Sequence, residues 1–399
     1  MRNPAYAPFP TEEFVARYQK AQRLMDEKGV DALLVTTEEN GTYFSGLETI
    51  EWGAERPIGV IIPRSADLQP IMTFPALLGE IADASSWIEE LRPWGDWGGL
   101  VGAPPDAVTA FRSVIEELGL ANGTIGMELG HGMQMLMSNA NYNALVSSLP
   151  NADFVDGAEL LWELRRIKSP REIEAMRKVA DATTAAFETG FAAMYEGMTE
   201  RELAGIMFAR MAHETGERPV FMMVRSGPSK YAMVNVKPFD KTLNKGELVV
   251  VDAGARYKTY SSDFMRMASI GEPSAEQRRF FDAQLEAQQA GVDVVKPGVT
   301  SGEVFDACYN VLVRRGMEEH AKFTGVGHNV GLSFHEPPRI SKGGTVILEP
   351  GMIITVEPIW YDRPNHVIGN FALEDMVLVT EDGHEVLSHF PKDLHIVRK

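Results

Sequence analysis

Five residues in the C-terminal part of the chain are of types that could do chemistry together: Asp252, Asp263, His328, Glu357 and Glu374. Each sits in a segment that otherwise reads as an apolar strand or a glycine-rich turn. Four carboxylates and one imidazole drawn into a core would repel one another and stay poorly solvated. Two divalent cations would balance the four negative charges. The donor set suits manganese(II), cobalt(II), iron(II) or zinc(II) rather than soft metals. Such a pair of ions would acidify a water and polarise a carbonyl, which is the chemistry of hydrolysing an amide-like bond.

The run Glu247-Leu248-Val249-Val250-Val251-Asp252-Ala253-Gly254 begins as an apolar strand and ends on an acid, and Asp263 follows eleven residues later. A β-hairpin could bring both carboxylates to one face, with Gly254 permitting a tight backbone path. The alternative is a turn-starting Asp252 and a solvated strand-end Asp263. His328 lies among glycines in Gly325-Val326-Gly327-His328-Asn329-Val330-Gly331, and His335-Glu336-Pro337-Pro338 comes shortly after. Glycine lets backbone approach a metal or substrate closely, although a lone glycine-flanked histidine is usually a loop residue. Glu357 closes the strand-like Met352-Ile353-Ile354-Thr355-Val356, and Glu374 lies within Phe371-Ala372-Leu373-Glu374-Asp375-Met376-Val377. Salt-bridged strand acids would explain either one. Independent bland explanations for all five are the less economical account.

The remaining sequence must position these groups. At 399 residues the chain is long enough for two or three domains. Its 44% apolar and 24% charged content is that of a globular enzyme. A net charge of −18 argues against nucleic acid or an anionic membrane as a partner. The single cysteine, Cys308, excludes an intrachain disulfide and reads as a buried helical thiol. Met1-Arg2-Asn3-Pro4 opens no apolar run of leader length, and no uninterrupted apolar stretch would span a membrane. A cytoplasmic location is expected.

Residues 1–158 read as an α/β domain and 159–399 as a second domain. In the first, Thr11 is expected to cap a helix that stops at Gly29, and 32–36, 59–62 and 71–74 read as buried strands. His131, between two glycines, reads as a loop residue. Trp52 is a candidate for contact with a partner chain's site, against the commoner role of a packed core tryptophan. In the second, Ser169-Pro170-Arg171-Glu172 is a helix start with a capping box. Gly197-Met198-Thr199-Glu200-Arg201-Glu202-Leu203 is echoed by Gly298-Val299-Thr300-Ser301-Gly302-Glu303-Val304 at an offset of 101 residues. Each copy is preceded by a long helical pattern and followed by a helix ending at a glycine, Gly216 or Gly316. Gln288 interrupts the apolar stripe of the second long helix. Two halves related by a pseudo-two-fold are expected, with a site between them drawing residues from both.

The order Asp-x-Gly, a second Asp after eleven residues, Gly-His-x-x-Gly followed by His-Glu-x-Pro, Val-Glu-Pro, and Leu-Glu-Asp-x-Val-Leu-Val-Thr resembles the pita-bread superfamily of methionine aminopeptidase, prolidase, aminopeptidase P and creatinase. The start Leu164-Arg165-Arg166-Ile167-Lys168-Ser169 and the first domain resemble the creatinase/prolidase arrangement. The resemblance implies an α/β N-terminal creatinase-like domain and an α+β pita-bread catalytic domain with internal duplication, usually as a homodimer. It implies a hydrolase of Xaa-Pro dipeptidase or aminopeptidase type, acting on a small peptide through a water activated by two divalent metal ions. Asp252 would chelate one ion, Asp263 and Glu374 would bridge both, and His328 and Glu357 would hold the other. Glu357 would also transfer a proton, and His335 would contact substrate. Two positions depart from the proline-peptidase pattern: Asn235 stands where a substrate-contacting histidine is usual, and Ala372 where an arginine is usual. These motivate a second expectation, a small-molecule enzyme on the same scaffold with creatinase- or ectoine-hydrolase-like C–N cleavage or dimethylsulfoniopropionate lyase activity. In that case Ser226-Gly227-Pro228-Ser229-Lys230-Tyr231 and Asn235 would line a different pocket. A third is a catalytically inactive binding protein.

Overall fold

A computed structural model describes residues 2–96, 101–321, 324–361 and 367–398. The chain divides into two compact units, Met1–Arg165 and Arg166–Lys399. No helix among the described residues is long and apolar enough to cross a membrane.

The first unit is built on a six-stranded mixed sheet. Its strands are β1 (Ala32–Val35), β2 (Gly59–Pro63), β3 (Ile71–Pro75), β4 (Glu90–Trp94), β5 (Thr124–Met127) and β6 (Asp153–Asp156), in the order β4-β3-β2-β1-β5-β6. The apolar runs at β1, β2 and β3 are buried throughout, as continuous hydrophobic strands covered on both faces must be. Helices α1 (Thr11–Lys28), α2 (Glu38–Ser45), α3 (Gly79–Ser85), α4 (Ala107–Glu117), α5 (Asn139–Ser148) and α6 (Ala158–Arg166) complete the unit. α6 spans the stretch between the expected domain boundary and the division at Arg165.

α1 buries Phe14, Tyr18, Leu24 and Met25 and stops at Gly29, whose φ of +68° is left-handed. Thr11 does not cap it. Pro10 holds the cap position, and the Thr11 hydroxyl donates to Arg2 O at 2.6 Å instead. His131 is an exposed loop residue, and Trp52 is half-buried beside Gly41. Glu128 is a buried acid of this unit that the sequence reading passed over. It accepts from the backbone amides and hydroxyls of Thr36 and Thr37 and from Asn40 Nδ2 at 2.7 Å, a satisfied structural acid at the start of α2.

The second unit repeats one pattern, a packed helix pair followed by antiparallel strands. The first pair is α7 (Pro170–Ala193) and α8 (Glu200–Thr215), and the second is α9 (Ala275–Asp293) and α10 (Ser301–Arg314). The sequence echo is real at atomic level. Thr199 and Thr300 each accept from the amide of the glutamate three residues on, at 3.1 and 3.2 Å, and Glu202 and Glu303 each reach back to the cap amide at 2.7 Å. Ser169 and Glu172 form the capping box that starts α7. Gly216 caps α8 in the left-handed region, whereas α10 ends at Arg314 and Gly316 takes the left-handed conformation just beyond.

The strands are β7 (Phe221–Ser226), β8 (Leu248–Gly254), β9 (Arg256–Tyr257), β10 (Tyr260–Ser261), β11 (Phe264–Ile270), β12 (Gly325–Asn329), β13 (Glu336–Ser341), β14 (Ile353–Val356), β15 (Ile359–Tyr361), β16 (Asn370–Ala372), β17 (Asp375–Val379), β18 (His384–Val386) and β19 (His395–Val397). They form one sheet in the order β19-β11-β8-β7, another in the order β13-β12-β14-β17-β18, and two separate pairs, β9 with β10 and β15 with β16. Phe280, Phe281, Val250, Met267 and Phe371 share a buried core. Cys308 is buried on α10, and burial pushes its thiol up to about 12.

Candidate metal centre

β8 and β11 run antiparallel as a ribbon closed by the short β9–β10 hairpin, and Asp252 pairs directly with Met265. Alternation along β11 puts Asp263 on the face of Met265, so the two aspartates lie diagonally on one face. Gly254 is needed for this path, since a Cβ there would lie 2.3 Å from Ser262 O. His328 comes from β12 of the other sheet. Its neighbour Gly327 has φ +155°, and a Cβ there would meet Thr355 O at 2.0 Å. That close approach lets the His328 amide donate to Thr355 Oγ1 at 3.1 Å. Glu357 follows β14, with its amide donating to Val326 O at 2.7 Å. Glu374 lies between β16 and β17, its amide donating to Met265 O at 3.3 Å.

All five side chains meet. Ligand-capable atoms of Asp252, Asp263 and Glu374 lie within 4.8 Å of one another, as do those of His328, Glu357 and Glu374, and those of Asp263, His328 and His335. Glu374, Asp263 and His328 each belong to two of these groups, while Asp252, Glu357 and His335 each appear in one. His328 Nε2 is 3.2 Å from Glu357 Oε1 and 3.6 Å from Asp263 Oδ2. His328 Nδ1 lies 3.0 Å from Asn329 O, which assigns the proton to Nδ1 and leaves Nε2 as an electron-pair donor.

The electrostatics are those of a crowded acid cluster. Burial and the Glu357 charge push Asp252 up to about 7. Burial, then Asp252 and Glu357, drives Asp263 well above its ordinary value. Burial, then Asp263, Glu357 and Asp252, does the same to Glu374. Asp252 Oδ1, His328 Nε2 and both Glu374 oxygens are buried without a hydrogen bond among the described residues. Orphaned oxygen and nitrogen donors of this kind, converging on one point, fit a divalent cation.

His335 stands at the edge of the cluster, exposed, with its ring 4.3 Å edge-on from that of His328. Desolvation of the ring, then the His328 imidazole, draws it down to about 4. The sequence reading missed its neighbours. Phe334 lies 4.4 Å from His335 and 4.9 Å from Phe221, making an aromatic wall. Arg339, exposed on β13, pairs across the strands with His328. Only the exposed alternation of His335, Pro337 and Arg339 along β13 could have signalled it. Asn235 is exposed in the segment between β7 and β8 at φ +53°, with no hydrogen bond to the acid cluster among the described residues. Ala372 is fully buried on β16.

Comparison with known proteins agrees with this architecture. Residues 174–381 match the model of metallopeptidase family M24, and residues 17–167 match the creatinase/prolidase N-terminal domain. The chain is 28% identical over 378 residues to the Xaa-Pro dipeptidase of Pyrococcus furiosus, covering 95% of this chain and 99% of that one. It is 32% identical over 266 residues to the Xaa-Pro dipeptidase of Lactobacillus helveticus, covering 65% of this chain and 70% of that one. Among solved structures it is similar to the Xaa-Pro dipeptidase from Bacillus anthracis, with a TM-score of 0.83 at 27% identity over 96% of this chain and 100% of that one. The prolidase from Thermococcus sibiricus gives 0.84 at 26% identity over 96% and 99%. These relatives do not favour the small-molecule enzyme or the inactive binder. Fold, acid cluster and family match together establish that the chain belongs to metallopeptidase family M24, with a creatinase-type N-terminal domain and the pita-bread catalytic fold, and is a metal-dependent peptidase.

Proposed function

We propose that the protein is a dipeptidase or aminopeptidase of Xaa-Pro type, working with two divalent ions, manganese(II) foremost. The observation that carries the reading is the set of buried, orphaned donor atoms on Asp252, His328 and Glu374. Asp252, Asp263 and Glu374 would hold one ion, and His328 and Glu357 the other, with Glu374 and Asp263 shared. Such ions supply a Lewis acid for the scissile carbonyl and make the attacking water more acidic.

The chain's own groups do the rest. The Glu357 side chain keeps 19% of its surface accessible, against 4% for Asp263. It is the acid placed to take a proton from the attacking water and return it to the leaving nitrogen. His335, neutral at physiological pH, donates a hydrogen bond to the carbonyl oxygen. Arg339, the exposed cation across from His328, offers a partner for the free carboxylate of a short peptide. Phe221 and Phe334 offer an apolar surface for a proline ring. Asn235 fills the usual histidine position with an amide that hydrogen-bonds but does not titrate. We place the enzyme in the cytoplasm as a homodimer, a reading supported by the single cysteine and by the resemblance.

Purified protein should bind two divalent ions per chain by elemental analysis and release free proline from Xaa-Pro dipeptides when supplied with manganese or cobalt. Two ions bound with no proline released across a varied dipeptide panel would overturn the Xaa-Pro assignment.

A further inference from the structure

Arg225 is a fully buried guanidinium on β7. It pairs with Val250, two residues before Asp252, and so lies on the acid-cluster face of the β7–β8 ribbon. Its charge is felt at Asp252. Nη1 donates to Met233 O at 2.6 Å and Nη2 donates to Asn370 Oδ1 at 2.8 Å. Asn370, itself buried on β16, donates in turn to Tyr231 O at 3.2 Å. Two carbonyls of the segment leading into Asn235 are therefore held by one side-chain pair, and that pair is rooted in the strands beside Asp252 and ahead of Glu374.

The rest of the segment is anchored independently. Buried Glu200 pairs with Lys230 and accepts from Ser226 Oγ at 2.8 Å and Phe239 N at 3.0 Å. Between these anchors Met233, Val234 and Asn235 are exposed. An exposed tip on a buried, charge-assisted base is the arrangement of a loop held in place to meet a ligand.

We propose that Arg225, with Asn370, is a positioning pair that fixes the Tyr231–Asn235 segment against the strands that carry Asp252 and thereby sets substrate affinity. The proposal rests on the peptidase reading for its kinetic arm alone. The pair touches no substrate. It acts through the carbonyls of Tyr231 and Met233, so its loss should raise KM while kcat and metal content hold.

The test uses the full-length, metal-loaded protein with the variants Arg225→Lys, which keeps the charge felt at Asp252 but loses the two-pronged donor, Asn370→Ala and the double variant. Each single variant should raise KM for a dipeptide about tenfold with kcat changed less than about twofold, and the double variant should be no worse than either single, because both remove one shared anchor. Chymotryptic cleavage after Met233 or Phe239, exposed sites within the same connecting segment, should quicken in both variants while bound metal stays constant. If Arg225→Lys fails to fold, Asn370→Ala carries the same comparison. Wild-type protein that hydrolyses no dipeptide would overturn the peptidase reading and leave the cleavage arm to decide the positioning role. Unchanged KM and unchanged cleavage, or losses confined to kcat and metal content, would overturn the positioning role itself.

Discussion

Glu374 and Asp375 are consecutive, and their carboxylates face opposite conditions. Asp375 is saturated: Arg266 Nη2 donates to it at 2.7 Å, Ser388 Oγ at 2.7 Å, Gln288 Nε2 at 2.9 Å, and Lys392 Nζ lies 2.7 Å away. Burial alone would raise it, but Arg266 and Lys392 outweigh that and hold it below the usual carboxylate range. Glu374 has no hydrogen bond on either oxygen among the described residues and is driven upward. Strand geometry separates them, because neighbouring side chains point to opposite faces. The satisfied acid also steadies the other. Arg266 Nη1 donates to Glu374 O at 2.6 Å, and Gln288 reaches Val356 O, just before Glu357, at 3.4 Å.

The two acids should therefore answer mutation in opposite ways. Glu374→Gln replaces a buried acid that the metal-free fold holds in its protonated form with a neutral amide of the same shape, and should leave that fold at least as stable while abolishing activity. Asp375→Asn strands a buried arginine and should cost about 3 kcal/mol. Denaturant titration of metal-free protein with a peptidase assay on each variant separates the two, and equal destabilisation would contradict this division of roles.

Metal-free protein should lose stability as pH rises. Asp252 is raised from the ordinary carboxylate value to about 7 by burial and Glu357, and Asp263 and Glu374 are likewise raised well above their ordinary values by burial and the neighbouring acids. The folded state thus holds protons that the unfolded chain releases near pH 4. The stability these groups contribute is fully present below that value and is lost progressively up to about 7 and beyond, by up to ~1.4 kcal/mol per pH unit for each retained proton. Thermal melts of chelator-treated protein from pH 5 to 8 should show a falling Tm, and manganese should restore it most at the alkaline end. A Tm that ignores both pH and metal would exclude the linkage.

Glu357→Gln and His335→Gln should differ in kind. On the roles proposed for it, the first would remove both a metal donor and the proton carrier, so metal content should fall and the rate drop by about 10³ or more. The second keeps the acid cluster intact, so metal content holds while kcat falls by about 10². Because His335 is held down to about 4, it loses its proton as pH rises through that value and is neutral across the working range. The acid limb of the pH–rate profile should therefore be the same with and without it.

Asn235→His places an imidazole on an exposed loop, where its pKa should stay near about 6.5. The kcat/KM profile should acquire a new inflection there that the parent lacks. An unchanged profile would mean that position 235 does not reach the substrate.

Much of the frame was legible in the sequence because its determinants are local. A capping box needs residues three apart, so Ser169 and Glu172, Thr199 and Glu202, and Thr300 and Glu303 announce their helices. Asp252 and Asp263, eleven residues apart, allow a hairpin or a turn with a solvated acid, and the pairing of Asp252 with Met265 decides for the ribbon. Thr11 misled, because the same hydroxyl that can cap a helix found the Arg2 carbonyl, and Pro10 took the cap position. What only the tertiary structure decided are bonds between distant residues. Gln288 reads as a flaw in an apolar stripe, yet it is buried to reach Asp375, 87 residues away. Arg225 reads as an ordinary strand residue until Asn370, 145 residues on, accepts its hydrogen bond. Local spacing fixes backbone conformation through short-range hydrogen bonds and periodic burial. Which buried acid is neutralised by a neighbour and which is left bare for a cation depends on packing between strands, and no spacing along one chain segment encodes that.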